Sequence, residues 1–74
     1  NPLTTIKYAV PKQAIVNIDL YNLLGQKVQT LVKGKKAPGV YEVKLQAARL
    51  ASGLYIYRMY SADFHAVRRL IILK

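Results

Sequence analysis

Ser61, Asp63 and His65 stand at alternate positions in Ser61-Ala62-Asp63-Phe64-His65 and bring a hydroxyl, a carboxylate and an imidazole close together. Nucleophilic catalysis needs the imidazole within hydrogen-bond reach of the hydroxyl and oriented by the acid, and the three usually come from separate segments. Here all of them fall in and beside one expected hairpin turn, where Ser and Asp are ordinary turn formers. No glycine-rich elbow or oxyanion loop accompanies them. Asp19, Glu42 and Asp63 are the only acidic residues and lie on different segments, so no carboxylate pair is placed for glycoside hydrolysis. A single histidine, no cysteine and scattered carboxylates supply no ligand spacing for zinc or calcium. Lys33-Gly34-Lys35-Lys36 lacks the strand-to-helix context of a phosphate-binding loop. The residues assign no catalytic group, no metal and no cofactor.

Binding chemistry has more material. The chain has 6 tyrosines and no tryptophan. Tyrosines beside Arg and Lys suit stacking on sugars or bases, or a polyanion. Tyr8, Tyr41, Tyr55 and Tyr57, however, fall on expected core faces, where tyrosine packs its ring and keeps its hydroxyl at the edge. The absence of tryptophan weakens a carbohydrate platform. No aromatic pattern of an RNA-binding sheet is present, so nucleic acid is not an expected partner. The net charge is +9, with 12 Lys and Arg against 3 acidic residues. Such a balance favours anionic partners. Apart from Lys33/Lys35/Lys36 and Arg68/Arg69 the cations are dispersed from Lys7 to Lys74, the usual pattern of a solvated surface.

The elements that must carry these side chains are strands. Ile6, Tyr8 and Val10 alternate with polar or small neighbours until Pro11, and Val16, Ile18 and Leu20 alternate with Asn17, Asp19 and Tyr21. Asn22-Leu23-Leu24-Gly25-Gln26 is an expected turn, with Gly25 free to take positive φ. Lys27–Val32 resumes as a short strand through Val28 and Leu31, and Lys33–Gly39 is an expected loop. Tyr41, Val43 and Leu45 then alternate with Glu42, Lys44 and Gln46. Residues 47–51 have the makings of one helical turn, stopped at Ser52-Gly53. Leu54–Tyr60 is dense in aromatic and β-branched residues, with Tyr55, Tyr57 and Met59 on one face. After the turn at Ser61-Ala62-Asp63, His65–Leu73 returns as a last strand, Leu70 and Ile72 on one side and Arg69, Ile71 and Leu73 on the other.

Short strands with turn signals every 8–12 residues or so predict an all-β fold, an antiparallel β-sandwich of six or seven strands. With 74 residues there is one thin core, which the hydrophobic fraction of 53% must stabilise without disulfides. The longest aliphatic run, Leu70-Ile71-Ile72-Leu73, is far below the ~20 residues of a membrane helix. A start at Asn1 rather than Met reads as a single domain, 1–74, excised from a larger protein. The last strands are apolar on both faces, which calls for a covering layer, a neighbouring domain or a partner, and leaves dimerisation by edge pairing open.

Several blocks carry a family resemblance. Asn1-Pro2, Thr4-Thr5-Ile6-Lys7-Tyr8 and Val10-Pro11 open it, followed by Leu20-Tyr21-Asn22-Leu23-Leu24-Gly25-Gln26-Lys27-Val28, Thr30-Leu31-Val32 and Gly39-Val40-Tyr41-Glu42-Val43. Leu50-Ala51-Ser52-Gly53-Leu54-Tyr55-Ile56-Tyr57-Arg58 is the strongest block, and Leu73-Lys74 closes the chain. Together they resemble the type IX (Por) secretion system C-terminal sorting domain, and a related immunoglobulin-like domain occurs in flagellar hook-assembly proteins. The resemblance implies an immunoglobulin-like sandwich and a non-catalytic module that directs an attached protein across the outer membrane to the cell surface or the medium. It further implies an upstream catalytic or adhesin domain, outer-membrane secretion machinery as partner, a sortase-like peptidase, and exchange for an anionic lipopolysaccharide anchor. By the same resemblance Arg68, Arg69, Leu70, Ile71, Ile72, Leu73 and Lys74 are the candidates for recognition, and Tyr21, Asn22, Gly25, Gln26, Leu50, Ser52, Gly53, Tyr55, Tyr57 and Arg58 form the family motif. The chain departs from the pattern in lacking a second Asn-Pro before Thr4-Thr5, in Gln46 and in Ala62. The competing expectation is an accessory polysaccharide-binding module of a secreted glycoside hydrolase.

Overall fold

A computed structural model describes residues 3–46, 50–62 and 65–73. Six strands follow one another: β1 (Leu3–Val10), β2 (Ala14–Tyr21), β3 (Lys27–Lys36), β4 (Gly39–Gln46), β5 (Gly53–Tyr60) and β6 (His65–Ile72). β1 pairs with β4 in a two-stranded sheet, and the remaining strands form a four-stranded sheet in the order β3-β2-β5-β6. All pairings are antiparallel. Among the described residues there is no helix, and the all-β expectation holds. The shortest dimension, 16 Å, leaves room for a single side-chain layer between two sheets.

Period-two alternation dictates what that layer contains. Ile6, Tyr8 and Val10 of β1 are buried, as are Val16, Ile18 and Leu20 of β2, Leu45 of β4, Tyr55 of β5 and Ile72 of β6. They form two clusters. Leu20, Leu45, Tyr55 and Ile72 make one, with Leu50 and Leu70 packed against it. Tyr8, Val10, Val16 and Ile18 make the other, with Val32, Tyr41 and Met59 at its margin. Leu31 and Tyr57 pack against both and join them. Each fully buried aliphatic side chain contributes about 1.5–3 kcal/mol of transfer free energy, the main stabilising term in a domain without cysteines.

Leu31 reaches the core through a break in the pairing of β2 with β3. The register skips Leu31 between Ile18↔Val32 and Asp19↔Thr30, and skips Val28 between Leu20↔Gln29 and Tyr21↔Lys27. An extra residue on one strand bends it and sharpens its twist. Val28 and Leu31 are three apart, a spacing that a regular strand cannot place on one face. With the irregularities Leu31 is half-buried and Val28 stays exposed.

The expected loop over Lys33–Gly39 is a correction. β3 continues to Lys36, pairing Lys33, Gly34, Lys35 and Lys36 with Asn17, Val16, Ile15 and Ala14, and only Ala37 and Pro38 separate it from β4. β3 is an edge strand, so Lys27, Lys33 and Lys35 are exposed while the backbone pairs on one side, and the Lys36 ammonium stands 5.5 Å from the centre of the Tyr41 ring. Of the expected helical turn, residues 47–49 lie outside the described residues. Leu50 and Ser52 sit in bends.

Two connections are tied by the same device. The Tyr41 hydroxyl donates to the carbonyl of Ala37 at 2.6 Å, and the Tyr55 hydroxyl donates to that of Ala51 at 2.7 Å. Both tyrosines sit two residues after a glycine that opens their strand, in Ala37-Pro38-Gly39-Val40-Tyr41 and Ala51-Ser52-Gly53-Leu54-Tyr55. Gly53 has φ 150°, a conformation that L side chains rarely adopt.

Candidate functional site

The family-motif residues separate into three structural jobs. Leu50, Tyr55 and Tyr57 serve the core. Asn22, Gly25 and Gln26 build the β2–β3 turn. The Asn22 Oδ1 accepts from the backbone N–H groups of Leu24 (2.9 Å) and Gln26 (3.1 Å), and its Nδ2 donates to Gln26 Oε1 at 2.9 Å. Two backbone bonds, Gly25 N–H to Asn22 O and Asn22 N–H to Gln26 O, close the turn, and Gly25 takes φ 84°. This is an Asx turn, in which the side chain stands in for a backbone acceptor. It holds Leu23 and Leu24 out toward solvent, 64% and 83% exposed. Ser52 and Gly53 lead into β5.

Tyr21 and Arg58 do none of these jobs. They lie on the outer face of the four-stranded sheet, away from β1 and β4. Cross-strand register sets Thr30, Asp19, Arg58 and Val67 in one row across this face, and Lys27, Tyr21, Ile56 and Arg69 in the next. The Arg58 guanidinium stands 5.4 Å from the centre of the Tyr21 ring. That is within the range of cation–π attraction. Tyr21, Leu23, Ile56, Arg58 and Val67 line a groove of ≈ 280 Å³.

Asp19 was expected on a polar face, yet it is only 3% exposed. Its Oδ2 accepts a hydrogen bond from the Tyr60 hydroxyl at 3.0 Å. That bond, followed by desolvation, raises the Tyr60 phenol above its ordinary value of 10.0, because losing the proton would set a phenolate against a carboxylate. Burial, and then the neighbouring Tyr41, raises Tyr8 in the same direction. The Tyr8 and Tyr41 rings stack at 5.4 Å in the core. Four of the tyrosines, Tyr8, Tyr41, Tyr55 and Tyr57, thus face inward as expected, which leaves Tyr21 and Tyr60 on the outer face.

The last strand is an edge strand. β6 pairs with β5 without a register shift from Tyr60↔His65 to Gly53↔Ile72, and among the described residues its other side has no neighbour in the sheet. Ile72 is buried and Leu70 half-buried, while Val67, Ile71 and Leu73 are 50%, 62% and 65% exposed. Arg68 points to the inner side, where it lines a cleft of ≈ 110 Å³ with Ile6, Tyr8, Tyr57 and Met59, and Arg69 points outward. Lys74 lies outside the described residues.

The Ser61, Asp63 and His65 set gains no catalytic geometry. Asp63 lies outside the described residues. Ser61 and His65 border one open cleft of ≈ 430 Å³, but among the described residues the buried Ser61 Oγ has no hydrogen-bond partner, and so no base on it. Among the described residues no three His, Cys, Asp or Glu side chains are gathered as a metal site.

No curated protein and no solved structure matches the chain. A family described as the secretion system C-terminal sorting domain does match, over residues 1–73. Sorting domains of this kind are generally non-catalytic and act through the type IX secretion machinery, so the attached protein is exported to the medium or the cell surface. A match over nearly the whole chain, with the motif blocks distributed between core, turn and outer face, establishes the family: this chain is a type IX secretion C-terminal sorting domain.

Proposed function

We propose that the export machinery engages this domain through β6, with Arg68–Lys74 as the recognised segment and pairing along the free edge as the mode of contact. The observation that carries this is the difference between the two edges of the four-stranded sheet. β3 is interrupted by two register shifts and lined with Lys27, Lys33, Lys35 and Lys36, features that turn away an incoming strand. β6 is uninterrupted, and its outward Val67, Ile71 and Leu73 would gain burial against a partner. Strand addition takes affinity from main-chain hydrogen bonds and specificity from alternate side chains, and β6 supplies both. On the family resemblance, cleavage by a sortase-like peptidase and exchange for an anionic lipopolysaccharide anchor would follow this step.

Fusing the segment to a reporter in a type IX-competent bacterium tests the reading. The unaltered fusion is exported, whereas Ile71→Lys with Leu73→Lys strands the reporter in the periplasm. Both positions face outward, so the core residues Leu70 and Ile72 are untouched, and equal thermal melting of the two purified domains shows that folding is not the cause. Normal export of the double variant would overturn the assignment to β6.

A further inference from the structure

The two strongest motif blocks are some thirty residues apart in the chain, yet they meet in the groove on the outer face. Tyr21, Leu23 and Gly25 come from the first block, Ile56 and Arg58 from the second, and Val67 of β6 closes the far wall. Core packing explains Leu50, Tyr55 and Tyr57 but not a tyrosine and an arginine turned away from the core. Among the described residues the Arg58 guanidinium donates to no protein acceptor and has no carboxylate within 4.0 Å, and Asp19, its cross-strand neighbour, accepts instead from the Tyr60 hydroxyl. The guanidinium stands over the Tyr21 ring, and with the Asn22 amide it is the polar side-chain feature of an otherwise aliphatic and aromatic groove. A planar donor fork of this kind matches a carboxylate in a bidentate manner.

We infer that this groove is a second docking site, separate from the β6 edge, for an extended acidic–apolar segment of a partner protein. An Asp or Glu carboxylate of that segment meets Arg58, and aliphatic side chains on the same face of the segment lie on Ile56, Val67 and Leu23. Charge complementarity selects this occupant. Among the described residues the surrounding face carries Lys27, Lys33 and Arg69 and a single carboxylate, the buried Asp19, and the whole chain is at +9, so a second copy would bring cation against cation. In an extended peptide, residues two apart share a face at a spacing of ~7 Å, so the pattern apolar-x-acidic-x-apolar spans the three strands that form the groove. The site does not depend on β6 being the strand that the translocon reads.

The test is a titration of the isotopically labelled domain with Ac-Leu-Ser-Asp-Ser-Leu-NH2, followed by the amide resonances. Saturable shifts are expected at Tyr21, Ile56, Arg58 and Val67. The Asn analogue of the peptide should bind roughly fivefold more weakly, the size of a partly exposed ion pair. Arg58→Gln should abolish the preference for Asp over Asn, and Arg58→Lys should retain part of it, since an ammonium keeps the charge without the planar fork. If Arg58→Gln does not fold, Val67→Glu tests the same wall by placing a carboxylate beside the incoming one, and loss of binding is expected. Equal binding of the Asp and Asn peptides, or shifts confined to Leu70–Leu73, would overturn the proposal. So would displacement of the peptide by equimolar inorganic phosphate, or the same shifts appearing on concentrating the domain alone, which would point to a simple anion site or to self-docking. Because this readout is binding in solution, its failure leaves the export test of β6 intact, and a failed export test leaves this one intact.

Discussion

The closest coupling of charge and burial in the domain is between Asp19 and Tyr60. A carboxylate that is 3% exposed must be hydrogen-bonded to persist, and the phenol of Tyr60 does this from the neighbouring strand. The sign of the pH effect follows from the phenol. Its proton is held more tightly in the folded than in the unfolded chain, so its contribution to stability is complete below the unfolded value near 10 and is lost as pH rises through the higher folded value. Tyr60→Phe should therefore flatten the fall in stability above pH 10, in denaturant titrations run from pH 7 to 11. At pH 7 it should also destabilise, since it leaves a buried carboxylate without its donor. An alkaline limb unchanged by the substitution would mean that Tyr8, raised by its own burial, governs that range instead. Sequence alone suggested neither half of this pair. Asp19 occupies the polar phase of a clean alternation, and its hydrogen-bond partner comes from β5, forty-one residues away in the chain.

At the scale of elements, alternation was sufficient wherever a strand is regular. Ile6–Val10, Val16–Leu20 and Tyr55–Met59 present the expected faces because a period of two leaves no other solution once one side is buried. It misled at β3, where lysines and Gly34 resemble a loop when judged by composition, although an edge strand tolerates both. The three-residue spacing from Val28 to Leu31 was the available clue to the register shifts. The twice-used Ala-x-Gly-x-Tyr pattern was a second clue, marking two connections that a tyrosine hydroxyl ties back to the chain four residues earlier. The two ties differ in exposure, and so should their energetics. Tyr55 is buried and its bond partly shielded, so Tyr55→Phe should cost about 1 kcal/mol. Tyr41→Phe, whose bond is exposed to water, should cost a few tenths of that. Urea unfolding midpoints of the two variants check the ordering, and a larger loss for Tyr41→Phe would contradict it.

For the whole molecule, the question is how readily a basic domain with an open, apolar edge joins its own copies. β6 runs from His65 to Ile72, and residues facing each other across an antiparallel pair share a face of the sheet. For a strand paired with a copy of itself, that condition admits only registers in which the two positions have the same parity. The two that keep β6 nearly fully paired are centred on Arg68 and on Arg69, and each places an arginine directly opposite itself. Like charges directly opposite are destabilising, and a net charge of +9 on each copy adds to the repulsion. Both registers therefore disfavour self-pairing, whereas a partner with carboxylates at the matching positions would meet the two arginines favourably. Arg68→Thr with Arg69→Thr should convert a monomer into a dimer at concentrations where the unaltered domain sediments as a single species, with a dissociation constant at least tenfold lower. Raising the salt to about 1 M, where charge is screened within ~3 Å, should move the unaltered domain part of the way toward the same dimer. Sedimentation velocity at low and high salt measures both effects. Equal self-association of the two proteins at low salt would show that the arginines do not guard the strand, and that its selectivity for a foreign partner resides in the outward Val67, Ile71 and Leu73 instead.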